Sequence, residues 1–239
     1  MNEIPLNERI IFALDVSDIG EAKRLVDLLK GEIRFFKVGL QLFLAGWWNM
    51  IDYIVQSGCK VMVDLKFFDI PETVALAVEQ LQGHNVTFAT IHGNDPIIRA
   101  AVNVKQGDMK LLAVTVLTSF DETDMVQMGL RGSIADLVLL RAEKAINLGC
   151  DGVVSSGLEA KNLRENVSGS FIIVTPGIRP GANIDTLGKD DQKRVATAKE
   201  AIGNGADYVV IGRPIRDAQD PLAMATRIKA EIAEVLAAK

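Results

Sequence analysis

Residues 60–83 read KVMVDLKFFDIPETVALAVEQLQG, a short apolar run followed by an amphipathic stretch. The first part, 60–66, has the length and valine content of a buried strand, and the part from Pro71 onward has apolar residues at helical spacing. The same order, a strand and then a helix, recurs about eight times along the chain. The candidate strands are 9–16, 33–39, 60–66, 86–92, 110–117, 152–156, 171–176 and 208–212.

The candidate strands are mostly apolar on both faces, as parallel strands covered by helices are. Their number and the length of 239 residues favour an α/β fold of the (β/α)8 TIM-barrel type. The alternative is an open doubly wound sheet, which usually has fewer strands and a glycine-rich first turn. Residues 15–22, DVSDIGEA, follow the first strand without a G-x-G-x-x-G pattern. No linker-like segment divides the chain, so residues 1–239 are predicted to form a single barrel domain.

Small residues stand just before or at the start of several candidate strands. Gly58, Gly149 and Gly205 are predicted to end the preceding helices in the left-handed conformation. Cys59 and Cys150 follow two of these glycines and have no metal-ligand spacing. They are expected to be small buried thiols in a reducing compartment.

Composition excludes several classes of function. The formal net charge is −5, whereas a nucleic-acid surface is expected to be basic. The N-terminal residues lack the pattern of a secretory signal, and no apolar run approaches the length that spans a bilayer. We therefore expect a cytoplasmic protein without nucleic-acid or membrane partners. An anionic small molecule remains compatible, because a small ligand responds to the local field of its site.

Polar residues recur where the candidate strands end. In a parallel barrel the active site lies at the carboxyl ends of the strands. A single charged residue at such a position is more often a surface residue or a helix cap, so the joint pattern carries the prediction. The residues at these ends include Asp15, Lys37, Asp64, Lys66, Thr118, Ser119, Pro176, Arg179, Gly212 and Arg213.

Asp64 and Lys66 are two positions apart on one candidate strand, so their side chains should share a face. Val63 and Leu65 should face the helix layer instead. Paired charges of opposite sign offset each other's desolvation, and Lys37 and Asp69 are placed to extend the set with alternating sign. An ion-pair network that only supports the fold is the alternative interpretation.

Two segments have the character of phosphate sites: GIRPG at 177–181 and IGRP at 211–214. Each places backbone N–H groups and an arginine at a strand end, and barrels often bind phosphate after strands seven and eight. An ordinary turn is the alternative for each segment. The long irregular stretch 176–192 ends at Gln192, whose amide is a further candidate donor.

Other conspicuous residues have no assigned chemistry. His84 and His92 do not form a metal pair, and no metal-binding motif is present in the sequence. His92 is expected to be either a core histidine or a support for the charged cluster. Trp47 and Trp48 are expected in helix packing or at an interface.

The motifs together resemble one enzyme family. They are ALDV, FKVG, DLKFFDIPETV, LTS, TPGIRP, DDQKR and YVVIGRPI, in this order over nearly the whole chain. This set is similar to that of the orotidine 5'-phosphate decarboxylases. The D-x-K-x-x-D part alone is shared with a wider suprafamily that includes 3-keto-L-gulonate 6-phosphate decarboxylase and hexulose 6-phosphate synthase. The sequence departs from the family in VATAKEAI after DDQKR, where Thr-Pro is common, and in FFDIP, where many relatives have a histidine before the aspartate.

The resemblance implies a barrel without cofactor or metal that converts orotidine 5'-monophosphate to UMP and CO2 in de novo pyrimidine biosynthesis. It also implies a homodimer in which Asp69 reaches the neighbouring active site. Lys66 would be the proton donor, with Asp64 beside the substrate carboxylate and Lys37 in the same catalytic network. A segment at about 179–192 would close over the phosphate. The implied substrate-binding residues are Asp15, Lys37, Ile70, Thr73, Thr118, Pro176, Arg179, Gln192, Gly212 and Arg213.

Two alternatives remain at this point. One is a Mg²⁺-dependent sugar-phosphate decarboxylase or synthase of the same suprafamily. The other is a non-catalytic phosphate-binding barrel, against which the complete set of Asp64, Lys66 and Asp69 argues.

Overall fold

A computed structural model describes residues 4–181 and 194–238. The strands are β1 Ile10–Ala13, β2 Phe35–Gly39, β3 Lys60–Phe67, β4 Phe88–Ile91, β5 Lys110–Val114, β6 Gly152–Val154, β7 Ile172–Thr175 and β8 Tyr208–Ile211. The helices are α1 Ile19–Leu29, α2 Leu40–Gln56, α3 Pro71–Gln80, α4 Asp95–Val104, α5 Glu122–Gln127, α6 Ile134–Asn147, α7 Ala160–Asn166, α8 Ala198–Gly203, α9 Arg213–Arg216 and α10 Pro221–Ala237. Short 3-10 turns lie at Leu6–Glu8 and Gln82–His84.

The eight strands form a closed parallel barrel in sequence order, β1 to β8. The barrel closes where β1 pairs with β8, with Ile10 opposite Val209 and Phe12 opposite Ile211. This confirms the TIM-barrel prediction and excludes the open doubly wound sheet. The predicted strands at 9–16 and 110–117 are shorter in the structure, because their last residues leave the sheet at the rim and turn into the loops.

Two layers of apolar side chains stabilise the barrel. The larger lies between strands and helices and includes Val61 and Val63 of β3. The smaller fills the barrel interior, where Phe35, Phe88 and Tyr208 contact one another with ring centroids 4.9 to 5.8 Å apart. These three residues begin β2, β4 and β8, so they close the amino-terminal end of the barrel. Within the described residues, these side chains leave the carboxyl-terminal end of the strands as the open end of the barrel interior.

Helix ends follow the local sequence. Ser133 and Thr197 form capping boxes at the starts of α6 and α8. Gly58, Gly149 and Gly205 have φ values of 72°, 98° and 102°, which confirms the predicted left-handed helix ends. Each of these glycines stands two or three positions before the first residue of the next strand.

Both cysteines are buried with free thiols, as expected. Burial raises the pKa of the Cys150 thiol to about 12. Among the residues that the structure describes, no helix combines the length and the apolar character needed to cross a membrane.

Candidate active site

The end of β3 departs from regular strand geometry at Lys66, which has a φ of 49°. The pairing with β4 shifts register between Val63 and Phe67, so the strand bulges at this point. Thr90 of β4 bridges the irregularity: it accepts the Lys66 backbone N–H at 2.9 Å and donates to Asp64 Oδ1 at 2.9 Å. A left-handed φ is unfavourable for a lysine, so the surrounding contacts hold a strained conformation.

The bulge leaves Lys66 and Asp64 in contact, with Lys66 Nζ 3.0 Å from Asp64 Oδ1. The two side chains therefore share a side of the strand, as expected. The left-handed conformation of Lys66, rather than the regular alternation of a strand, produces this arrangement. Val63 is fully buried in the outer layer and Leu65 packs against the same layer, as predicted.

Lys37 and Asp15 extend this pair into a chain of alternating charge. Lys37 Nζ lies 3.4 Å from Asp64 Oδ2 and 3.1 Å from Asp15 Oδ1. The register of the sheet explains the contacts, since β2 lies between β1 and β3 and pairs Lys37 with Ala13 and with Met62. We call this row of four side chains, from Asp15 through Lys37 and Asp64 to Lys66, the charged chain.

Lys37 and Asp64, the two buried members of the charged chain, are kept ionised by their charged neighbours. Burial by itself lowers the pKa of Lys37, but attraction to Asp64 and Asp15 outweighs it and raises this pKa above its ordinary value. Burial raises the pKa of Asp64, but attraction to Lys37 and Lys66 outweighs it and lowers this pKa below its ordinary value. Asp64 is therefore a carboxylate, and Lys37 an ammonium, at neutral pH.

A cavity of about 440 Å³ opens above the charged chain at the carboxyl ends of the strands. The structure thus brings together residues from seven of the eight strand ends. Those predicted from sequence that line it are Asp15, Lys37, Asp64, Lys66, Thr118, Ser119, Pro176, Arg179, Gly212 and Arg213. Sequence reasoning missed Met62, Val116, Leu117 and Ser155, which also line it. Ser155 directly follows β6, so its position at the carboxyl end of a strand could have predicted its place in the cavity.

The cationic side of the cavity is formed by Arg179 and Arg213. Gly177 precedes the first with a φ of 74°, and a bridge between Ile178 and Ala196 fixes this turn. Gly212 precedes the second, and a Cβ at that position would lie 3.2 Å from the Cβ of Ala13. The short helix α9 begins at Arg213 itself. Two guanidinium groups at one side of a cavity suit a phosphate.

Three residues implied by the resemblance do not line the cavity of their own chain: Asp69, Ile70 and Thr73 are exposed. Asp69 Oδ1 instead accepts the backbone N–H of Ile70 at 2.6 Å. The expectation that Asp69 extends the alternating charges is therefore not met within one chain, because Asp69 is exposed and lies outside the cavity lining. Gln192 and most of the segment 179–192 lie outside the described residues.

The remaining conspicuous residues do not line the cavity. Trp48 stacks on His84 with ring centroids 4.0 Å apart, while Trp47 is half-exposed. His92 is partly buried, and burial, Arg141 and Lys66 together lower its pKa. In the described ranges, no group of three or more His, Cys, Asp or Glu side chains has the arrangement of a metal site.

Comparison with known proteins agrees with this geometry. A sequence model described as the orotidine 5'-phosphate decarboxylase / HUMPS family matches residues 8–228. A relative from Methylococcus capsulatus named orotidine 5'-phosphate decarboxylase is 50% identical, over 98% of this chain and 96% of its own. One of the same name from Stenotrophomonas maltophilia is 44% identical over the full length of both.

Among solved structures, orotidine 5'-phosphate decarboxylase from Lactobacillus acidophilus superposes with a TM-score of 0.80. It is 35% identical, and the match covers 94% of this chain and 99% of the other. The family match covers all eight strands and the cavity that they surround. The chain therefore belongs to the orotidine 5'-phosphate decarboxylase / HUMPS family.

Proposed function

We propose that this protein decarboxylates orotidine 5'-monophosphate to UMP and CO2, as a step of de novo pyrimidine biosynthesis. The family and the names of its relatives support the reaction. The observation that carries the proposal is the contact of Lys66 Nζ with Asp64 Oδ1, 3.0 Å apart, in the cavity wall. An ammonium held by a carboxylate is suited to a reaction in which negative charge develops on carbon.

In the proposed reaction the bond between C6 of the pyrimidine and its carboxylate breaks. The electron pair stays on C6 and CO2 leaves. Lys66 Nζ stabilises the developing carbanion and then donates a proton to it, so that UMP forms. Lys66 regains its proton from solvent after the product has left.

Asp64 has two roles in this proposal. Its carboxylate orients Lys66, and it repels the substrate carboxylate until CO2 departs. Lys37 contacts the second oxygen of Asp64 and keeps that carboxylate ionised and in place. The substrate thus meets a set of charges that is already arranged, which lowers the reorganisation needed in the transition state.

Contacts remote from C6 supply binding energy. Arg179 and Arg213, with Gln192, would bind the phosphate, and Pro176 and Gly212 would shape that side. Asp15 and Lys37 would contact the ribose hydroxyls, and Thr118 would lie beside the pyrimidine. The segment at about 179–192 would close over the phosphate. Such contacts can promote catalysis when they hold the reacting atom against Lys66.

We also propose a homodimer in which Asp69 enters the partner's active site, with Ile70 and Thr73 near it. Two observations support this arrangement. Asp69 follows Lys66 closely in the chain, yet it is exposed and lines no part of its own cavity. Phe68 and Ile70, which flank it, are 67% and 65% exposed, and such apolar side chains favour burial against another surface.

The further proposals follow from the sequence: residues 1–239 form one domain, the enzyme is cytoplasmic, and it needs neither cofactor nor metal. The donor set supports the last point. Both oxygens of Asp64 already contact ammonium groups, Lys37 on one side and Lys66 on the other. Mg²⁺, which binds proteins through one or two carboxylates, would have to displace these cations from Asp64.

The decisive assay follows the loss of orotidine 5'-monophosphate absorbance with purified enzyme in EDTA. We expect turnover that EDTA does not reduce. An activity that requires Mg²⁺ and acts on a keto-sugar phosphate would instead establish the sugar-phosphate alternative. Binding of UMP without any turnover would indicate a non-catalytic barrel.

A further inference from the structure

A second buried ion pair lies behind the cavity wall and takes no part in the mechanism above. Arg194 Nη1 is 2.5 Å from Glu159 Oε1, and the two side chains are only 11% and 10% exposed. Glu159 directly precedes α7, and Arg194 lies ahead of α8. The pair therefore joins the loops that follow β6 and β7.

Arg194 also holds the segment that follows β5. Its Nη2 atom donates to the carbonyl oxygens of Val116 at 3.0 Å and Leu117 at 2.9 Å. Its backbone N–H donates to the carbonyl oxygen of Thr118 at 3.1 Å. One residue thus binds three successive carbonyl groups of a segment 76 to 78 positions earlier in the chain.

Those three residues form a wall of the cavity, and so does Ser155. Ser155 Oγ donates to the other oxygen of Glu159, Oε2, at 3.4 Å. The ion pair therefore contacts the wall from behind at two places, after β5 through Arg194 and after β6 through Glu159. We call Val116, Leu117, Thr118 and Ser155 the β5–β6 wall.

A buried ion pair is a poor means of gaining stability. Desolvation of the two charges offsets most of their attraction, and apolar residues of similar size often serve the fold equally well. What a guanidinium provides is a rigid fork of donors that fixes several acceptors at once. This chemistry suits the positioning of backbone that has left the sheet.

We propose that Arg194 and Glu159 are positioning residues that hold the β5–β6 wall against the base of the substrate. This rests on the proposed function, in which Thr118 lies beside the pyrimidine. The pair touches neither Lys66 nor Asp64 in the described contacts, and its hydrogen bonds reach the wall at Val116, Leu117, Thr118 and Ser155.

The test measures binding of UMP and of ribose 5-phosphate, which lacks the base, to Glu159→Gln, Arg194→Lys and Arg194→Met by calorimetry. We expect UMP affinity to fall on the order of tenfold or more, as for loss of hydrogen bonds to a charged group. Ribose 5-phosphate affinity should stay unchanged. In turnover assays KM should rise by a larger factor than kcat falls. Arg194→Lys keeps the positive charge without the planar guanidinium, and Glu159→Gln keeps the volume of the side chain. The test therefore does not depend on the folding of any single variant.

The matched control is Asp207→Asn. Asp207 Oδ2 lies 2.5 Å from Arg164 Nη2, and Arg164 also donates to the carbonyl oxygens of Gly205 and Phe171. This ion pair has the same construction but lies at the opposite end of the barrel, just before β8. Asp207→Asn should lower the thermal unfolding midpoint without changing the ratio of the two ligand affinities.

Two results would overturn the inference. One is a Glu159 and Arg194 series that loses stability as Asp207→Asn does but keeps the wild-type affinity ratio. The other is an equal loss of affinity for both ligands. If the wild-type protein neither bound UMP nor turned over orotidine 5'-monophosphate, the proposed function would fail first, and the inference would fail with it.

Discussion

Thr90 Oγ1 donates to Asp64 Oδ1 and accepts the backbone N–H of Lys66, both at 2.9 Å. A single hydroxyl on β4 thus fixes the two charged residues of β3 at the point where that strand bulges. Thr90 is fully buried, so both hydrogen bonds are shielded from water. The ammonium and carboxylate groups at this position are therefore set before any substrate binds.

Removal of the Lys66 ammonium should greatly slow the reaction while leaving the fold intact. We expect Lys66→Ala to lower kcat by at least about a thousandfold, because the group stabilises charge that develops only in the transition state. Orotidine 5'-monophosphate absorbance measures the rate, and circular dichroism checks the fold.

Lys60→Ala is the matched control for Lys66→Ala. Lys60 lies at the other end of β3 and pairs with Glu8 at 2.5 Å, but it does not line the cavity. This variant should keep nearly the wild-type kcat. A near-normal rate in Lys66→Ala would contradict its assignment as proton donor.

The charged chain should make stability depend on pH at both extremes. The pKa of Asp64 is lowered in the folded state, so its contribution is present above the ordinary value of 3.8 and is lost as pH falls through the folded-state pKa. The pKa of Lys37 is raised, so its contribution is present below 10.5 and is lost as pH rises through its folded-state pKa. Neutral pH therefore retains both contributions.

Thermal unfolding of wild type and Asp64→Asn between acidic and neutral pH measures the first effect. At neutral pH we expect the variant to be less stable by about 3 kcal/mol or more, since the buried Lys37 ammonium and the partly exposed Lys66 ammonium lose their shared partner. The difference in unfolding free energy between wild type and Asp64→Asn should narrow as pH falls below the range where Asp64 titrates. A constant gap across the whole pH range would show that Asp64 contributes nothing through its charge.

The position of Asp69 predicts complementation between two inactive variants. Lys66→Ala and Asp69→Ala should each be inactive alone. After mixing and reassociation of a dimer, half of the molecules are hybrids with one complete site, so about a quarter of full activity should return. Recovery should be absent if Asp69 serves its own chain, and analytical ultracentrifugation reports whether dimers form.

The arginine pair predicts a phosphate-specific loss of binding. Arg213→Ala should weaken UMP binding by roughly tenfold to a hundredfold, because charge-assisted hydrogen bonds to phosphate are lost. Binding of uridine, which has no phosphate, should be weak in the wild type and not weakened further. Calorimetric titration with both ligands measures the difference.

Arg227→Ala serves as the surface control for Arg213→Ala. Arg227 pairs with Glu231 at 3.2 Å on α10 and is largely exposed. Its loss should leave both affinities unchanged. Equal weakening of uridine and UMP by Arg213→Ala would place Arg213 outside the phosphate site.

Much of the site was predictable because it depends on local order along the chain. A barrel places every strand's carboxyl end at one rim, so Asp15, Lys37, Asp64 and Thr118 were expected to meet once eight strands were recognised. The helix-ending glycines followed from the same local signals. The family resemblance added chemical roles, which geometry by itself does not assign.

The sequence by itself therefore determined the barrel and the set of charged residues at its rim, since strand periodicity and strand-end motifs are short-range properties. Tertiary structure alone decided the left-handed conformation of Lys66, the bridge through Thr90, the outward position of Asp69 and the pairing of Glu159 with Arg194. These features arise from contacts between residues far apart in the chain, where packing and desolvation select one partner among many. No periodic pattern records that selection, because it is made by the folded surroundings of each group.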